Sequence, residues 1–121
     1  MKVVTLKNIP QIPMEGAEPI HGYTGPVSRS RQTIIQPGES GNYNCSVVNF
    51  SQGSTTGWHT HNCDQVLIVT SGSGMVATEQ EEREINVGDV VHIKAGEHGA
   101  KPDTTMGHIT ITLVGSQATH G

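Results

Sequence analysis

The sequence has almost no aromatic side chains, no run of basic residues, only two cysteines and no long apolar stretch, and each shortage narrows what the chain does. One Trp, two Tyr and one Phe among 121 residues, with an apolar fraction of 33%, leave a core to be built from Val, Ile and Leu. Eleven acidic against seven basic residues give a net charge of −4, and the Lys and Arg are scattered. The electrostatic footprint of a nucleic-acid or anionic-membrane partner is therefore missing. No apolar run approaches the roughly 20 residues of a bilayer-spanning helix. The opening segment, Met1 to Pro13, lacks the apolar stretch of a secretory leader, so a cytoplasmic protein is expected. In that compartment Cys45 and Cys63 are expected as two reduced thiols rather than a bridge.

What is abundant is glycine, 15 residues, together with six prolines. This composition favours many turns and works against long helices. The length suits one domain. Residues 1–26 carry four of the prolines and little periodicity, and read as an extended N-terminal arm with one strand at Lys2 to Leu6. From there short apolar segments alternate with turn signals, the pattern of an all-β sandwich or barrel. Strands are expected at Arg31 to Ile35, Tyr43 to Phe50, Gly57 to His61, Gln65 to Ser71, Gly74 to Thr78, Glu82 to Ile85, Val90 to Lys94 and Gly107 to Val114. Turns are expected at Pro37-Gly38-Glu39, Ser51-Gln52-Gly53, Ser71-Gly72-Ser73-Gly74, Val87-Gly88-Asp89 and Ala95-Gly96-Glu97. The barrel then covers residues 27–114, and 115–121 form a tail.

One segment, Trp58-His59-Thr60-His61-Asn62-Cys63-Asp64-Gln65, carries chemistry. Side chains two apart on a strand share a face, so His59 and His61 can chelate one ion, and Gln65 joins them if the strand continues through Cys63. Two imidazole nitrogens and an amide oxygen suit a divalent transition metal better than calcium or magnesium. Cys63 is a soft potential donor but reads first as a small half-buried side chain. Asp64 reads as a solvent-facing turn former. Glu79, Glu81, Glu82 and Glu84 read as a solvated acidic hairpin, and His21 and His120 as surface residues. His92, between Val91 and Ile93, faces either into or out of the barrel. In the segment Gly107 to Val114 the alternation puts Ile109, Ile111 and Leu113 on one face and His108, Thr110 and Thr112 on the other. That second face is either solvent-exposed or the lining of a polar cavity.

These residues resemble the cupin family. Its first motif, G(x)5HxH(x)3-4E(x)6G, is matched by Gly53, His59, His61, Gln65 and Gly72, with Gln in place of Glu. Its second, G(x)5PxG(x)2H, is met by Gly88 and Gly96, with Lys94 in place of the proline. Residues 40–114 carry the resemblance, which implies a double-stranded β-helix, or jelly-roll, barrel. Within the family the chain is similar to small single-domain bacterial cupins, some accompanying carboxymuconolactone decarboxylases and some manganese-dependent hydroxynitrile lyases. In those relatives the second motif is three residues longer and includes the histidine that supplies the last ligand. Here GEHGA leaves two readings: His98 takes the vacated ligand position, or it keeps a place beside the substrate. The ligand set implied is His59, His61, Gln65 and His98, holding one divalent transition metal, Mn, Fe, Ni or Zn. A site that has lost its metal altogether is the third alternative. His108 aligns with a histidine that lines the relatives' cavity, and Tyr23 with a residue near their pocket mouth.

The expected activity is that of a metal-dependent lyase or isomerase on a small oxygenated molecule, with His98 or His108 moving the proton. An iron-dependent oxygenase and a non-catalytic small-ligand binding domain are the rivals. Cupins commonly cover their sheet edges by pairing barrels, so the arm implies a homodimer.

Overall fold

The computed structural model describes residues 1–13, 29–51, 58–97, 99–100 and 105–120. Among them the chain is almost wholly β, with one 3-10 turn at Leu6–Asn8 and ten strands: β1 (Ile12–Pro13), β2 (Arg29–Ile35), β3 (Tyr43–Phe50), β4 (His59–His61), β5 (Gln65–Thr78), β6 (Glu82–Asn86), β7 (Val90–Ile93), β8 (Gly99–Ala100), β9 (Thr105–Leu113) and β10 (Ala118–His120). All pairings are antiparallel, in the order β1-β2-β3-β9-β5-β8-β4-β10, with β6 and β7 also on β5. The expected all-β jelly-roll architecture holds.

The central element is β5. Its first half pairs with β7 through Gln65↔Ile93 to Ile68↔Val90. Its second half pairs with β6 through Ser73↔Asn86 to Ala77↔Glu82. Along the other edge runs β9, with a register shift between Val69 and Ser71, and beyond it β8, at Ala77↔Ala100 and Thr78↔Gly99. Before the shift the buried side chains are Gln65, Leu67 and Val69; beyond it the buried position is Gly74. One extra residue, Thr70, therefore exchanges the parity of the inner face. It lets one continuous strand serve both layers. The segment Ser71 to Gly74, expected as a turn between two strands, is instead strand. The reason is close approach: Gly72 has φ +66°, and a Cβ there would collide with the Thr105 carbonyl oxygen of β9. A glycine-rich run reads locally as a turn, but here it permits two backbones to meet.

The core is small and aliphatic. Val69, Ile85 and Met106 form a buried cluster, with Val76 and Val91 packed against it; Leu67 is fully enclosed on the same face of β5 as Val69, and Val47 is enclosed on the other face of the sheet, opposite Gln32. Each enclosed Val or Leu contributes about 1.5–3 kcal/mol.

Two terminal segments differ from expectation. Lys2 to Leu6 is not a strand; the turn bonds Asn8 N–H to Thr5 O (2.9 Å) and Ile9 N–H to Leu6 O (3.1 Å) form instead. The arm is fastened to the outer face of its own sheet. Gln32, opposite Val47 on the face away from His108, donates through Nε2 to Leu6 O (2.8 Å) and Ile9 O (2.9 Å) and accepts from Asn49 Nδ2 (3.1 Å). Lys2 Nζ adds bonds to Ile34 O and Glu39, both at 2.7 Å. At the other end, within the segment expected as a tail, Ala118–His120 pairs with β4.

Replacing Gly72 with Ala is expected to lower the unfolding free energy by about 2–4 kcal/mol, through the backbone collision added to the positive φ. Gly38, with φ +84° and open space around it, serves as control. Its replacement by Ala costs about 1 kcal/mol. Urea denaturation midpoints of the two variants check the difference.

Candidate metal centre

His59 and His61 project from β4, and Gln65 opens β5. As expected, His59 and His61 belong to one strand and Gln65 to the next; the strand does not continue through Cys63, and Gln65 reaches the same cavity from β5. All three side chains line one cavity of about 150 Å³. Gln65 is only 5% exposed. The imidazole rings of His59 and His61 stand edge to face with centroids 5.0 Å apart. Two imidazoles on one ion, each at a metal–nitrogen distance of about 2.1 Å, have ring centres roughly 5 Å apart. The pair therefore fits a shared cation. Among the described residues no three His, Cys, Asp or Glu side chains cluster as a ligand set; beside the two imidazoles stands the amide of Gln65, the donor expected from the sequence.

The local scaffold explains why these donors are held. β4 lies between β10, with Ala118↔His61 and His120↔His59, and β8, with His59↔Gly99. Asn62 reinforces the first side, its N–H donating to Gln117 O (3.1 Å) and its Oδ1 accepting from Gln117 N–H (2.8 Å). Gly96 N–H donates to His61 O (2.8 Å) and brings in the turn after β7. Asp64 clamps the same turn, accepting from Ala95 N–H at Oδ1 (2.9 Å) and pairing with His92 Nε2 at Oδ2 (2.8 Å). The Ala95 amide, then His92, holds the Asp64 carboxyl below its ordinary range. As expected, Asp64 is solvent-facing. His92 is thereby drawn to the exposed rim.

Apolar Val76, Ile85 and Val91 form another part of the cavity lining, and the charged side chains in that lining are Glu81, Arg83 and Glu97. Glu79, Glu81, Glu82 and Glu84 are all exposed, as expected of a solvated hairpin, and Glu81 also borders the cavity. Arg83 received no role in the sequence reading. The alternation in Glu82-Arg83-Glu84-Ile85 carries the signal, since it puts Arg83 on the face of the buried Ile85.

His108 faces inward as the cavity reading requires, and is 1% exposed. It is not among the residues that line this cavity, however. Its ring lies 5.7 Å from that of Phe50, and Nδ1 bonds the Thr110 hydroxyl at 2.9 Å. It sits opposite Val69 and Val48, one layer into the core. His98, His21, Tyr23 and Gly53 lie outside the described residues. Cys45 and Cys63 are free thiols, neither in the cavity lining, and burial pushes the Cys45 thiol up.

With the geometry in place, comparison with known proteins is informative. Residues 46–101 match the Cupin domain family. Over 68 residues the chain is 47% identical to an (R)-mandelonitrile lyase of Granulicella tundricola, an alignment covering 53% of this chain and 52% of that protein. The match thus spans about half the length of this curated relative. The fold superposes on the polyketide cyclase RemF of Streptomyces resistomycificus with a TM-score of 0.80 at 15% identity, over 99% of this chain and 84% of that one. A cupin-like protein of Thermotoga maritima gives 0.69 at 27% identity, over 82% and 80%.

Replacing Asp64 with Ala is expected to speed hydrogen exchange at the Ala95 amide at least tenfold and to leave Leu67, within β5, unchanged. Residue-resolved exchange by NMR checks it; equal protection in both proteins would mean that the turn is held without the carboxylate.

Proposed function

Because the chain belongs to the cupin superfamily, we propose that it is a metal-dependent lyase or isomerase acting on a small oxygenated molecule. The observation that carries this reading is the convergence of His59, His61 and Gln65 on one largely apolar cavity. Their donor atoms are neutral, which suits a divalent transition metal and leaves its charge uncompensated. Such a cation, when bound, supplies Lewis acidity toward a carbonyl or hydroxyl oxygen. The lyase named among the relatives supports bond cleavage as the reaction class.

The chain's own residues divide the remaining work. Val76, Ile85 and Val91 exclude water and strengthen every charge interaction inside. Asp64 and Gly96 keep the turn after β7 against the ligand strand. We assign His98 to the donor set with His59, His61 and Gln65, as the resemblance implies, with the alternative that it stands beside the substrate and transfers the proton. His108 is proposed in a supporting place: its Nδ1 is engaged by Thr110 and its ring packs beside Phe50. A homodimer formed through the N-terminal arm is proposed on the exposure of Val3 (84%) and Ile12 (62%).

Protein titrated with manganese, iron, nickel or zinc is expected to bind one ion per chain. Replacing His59 with Ala abolishes binding, and replacing Gln65 with Ala weakens it about 10- to 100-fold, as read by calorimetry and metal analysis. A His98→Ala variant that keeps full metal and loses turnover identifies a proton-transfer residue; one that loses metal identifies a ligand. Wild-type protein that binds none of these ions overturns the proposal. For the dimer, light scattering is expected to give twice the chain mass, falling to the monomer in a Val3→Asp, Ile12→Asp double variant.

A further inference from the structure

The cavity lining includes an arginine that the metal reading leaves unused. Arg83 lies opposite Val76, and Ile85 opposite Gly74, so Arg83 and Ile85 share the inner face of β6 while Glu82 and Glu84 take the outer one. Ile85 is 5% exposed and belongs to the core cluster. Among the described residues the guanidinium makes no ion pair, although Glu81 and Glu97 line the same cavity. An arginine cannot lose its charge at any working pH, and its planar fork matches a carboxylate. Arg83 itself is solvent-exposed while it lines the cavity, so it stands where the cavity opens, and a guanidinium there without an ion pair among the described residues is placed to meet an anion that comes and goes.

We propose that Arg83 receives the carboxylate of the substrate, and that the substrate class is a small monocarboxylic acid. Its hydroxyl or carbonyl oxygen is turned toward His59, His61 and Gln65. This rests on the reading of those three residues as a metal centre.

The topology sets the span. His59 pairs with Gly99, Gly99 with Thr78, and β6 is the next strand on β5. Three inter-strand spacings separate β4 from β6, about 14 Å along the curved wall. The distance across the cavity is less, and the long Arg83 side chain shortens it further. A cavity of about 150 Å³ takes a molecule of roughly benzene size. Glu81 and Glu97 set the charge limit, because a second carboxylate would meet two like charges in the same lining.

The test uses manganese-loaded full-length protein and a matched pair of probes, 3-hydroxypropanoate and 3-hydroxypropanamide, which have the same length and hydroxyl but differ in charge. Calorimetry is expected to show the acid binding about tenfold more tightly than the amide. The preference falls to near unity in Arg83→Ala and is partly kept in Arg83→Lys, with metal content unchanged in both variants. An acid preference that persists in Arg83→Ala means that the carboxylate goes elsewhere, and overturns the proposal. So does equal binding of acid and amide by the wild-type protein. Failure to load metal at all is a separate result: it sinks the metal-centre reading and is seen before any probe is added.

Discussion

The candidate site depends on a strand of three residues that is held on both edges. β4 contains His59, Thr60 and His61 and nothing more, far too short to persist alone. β10 pairs with it on one side, β8 with His59 on the other, and the Gly96 amide holds its last carbonyl. Each bond adds only about 0.5–1.5 kcal/mol net. Together they remove the freedom that would let two imidazoles drift apart, and a chelating pair needs that restraint. The C-terminal segment is therefore part of the site's support, although it contributes no residue to the cavity lining.

A second constraint is the bulge in β5. Without Thr70 as an extra residue, one parity would face inward along the whole strand, and Val76 would lie on the outside with Gln65 within. The shift allows the same strand to present Gln65 at one end of the cavity and Val76 at the other. It also brings Gly72 against β9, which explains why the sequence thins to Ser and Gly where a strand former would be expected. Core and cavity thus share residues: Ile85, Val76 and Val91 pack on Val69 and Met106 while also lining the cavity. A chain with few aromatic residues gains in this way both an enclosed core and a dry pocket from one set of aliphatic side chains.

The legible and illegible parts of the sequence divide along physical lines. Short apolar segments between turn signals located β3 and β9 closely, with the period-two alternation of Gly107 to Val114 marking β9. The donor spacing in β4 was equally plain, since it is a property of neighbouring residues on one strand. What failed was information carried by partners. Ser71 to Gly74 looked like a turn because the close approach of β9 is invisible locally. Residues 115–121 looked like a tail because pairing with β4 is a long-range event. Lys2 to Leu6 has the composition of a strand but finds no partner, and Gln32, a polar residue within a strand, gave no hint that it fastens the arm. Gln65 was foreseen on the shared face if the strand continued through Cys63; the strand breaks, and the return of β5 restores the position. His108 was rightly turned inward, but a face does not specify depth, and the residue is fully buried beside Val69 and is not among the described residues that line the cavity.

The distribution of charge explains why one acidic residue so near the donors leaves their neutrality intact. Asp64 immediately precedes Gln65, and a carboxylate turned inward there would cancel half the charge of a divalent ion and weaken its pull on a bound oxygen. Instead its two oxygens are committed outward, to the Ala95 amide and to His92, and those bonds hold its carboxyl below the ordinary range. The same commitment fixes the turn that leads into β8. One side chain therefore does two things at once: it builds the wall beside the donors, and by doing so it stays out of the donor set. The acids that do line the cavity, Glu81 and Glu97, come from other segments of the chain, where they bear on what enters. If the proposed metal centre holds, a substitution that freed Asp64 to turn inward would change the charge at that centre and the wall's shape together, and comparing metal affinity with exchange at Ala95 separates the two effects.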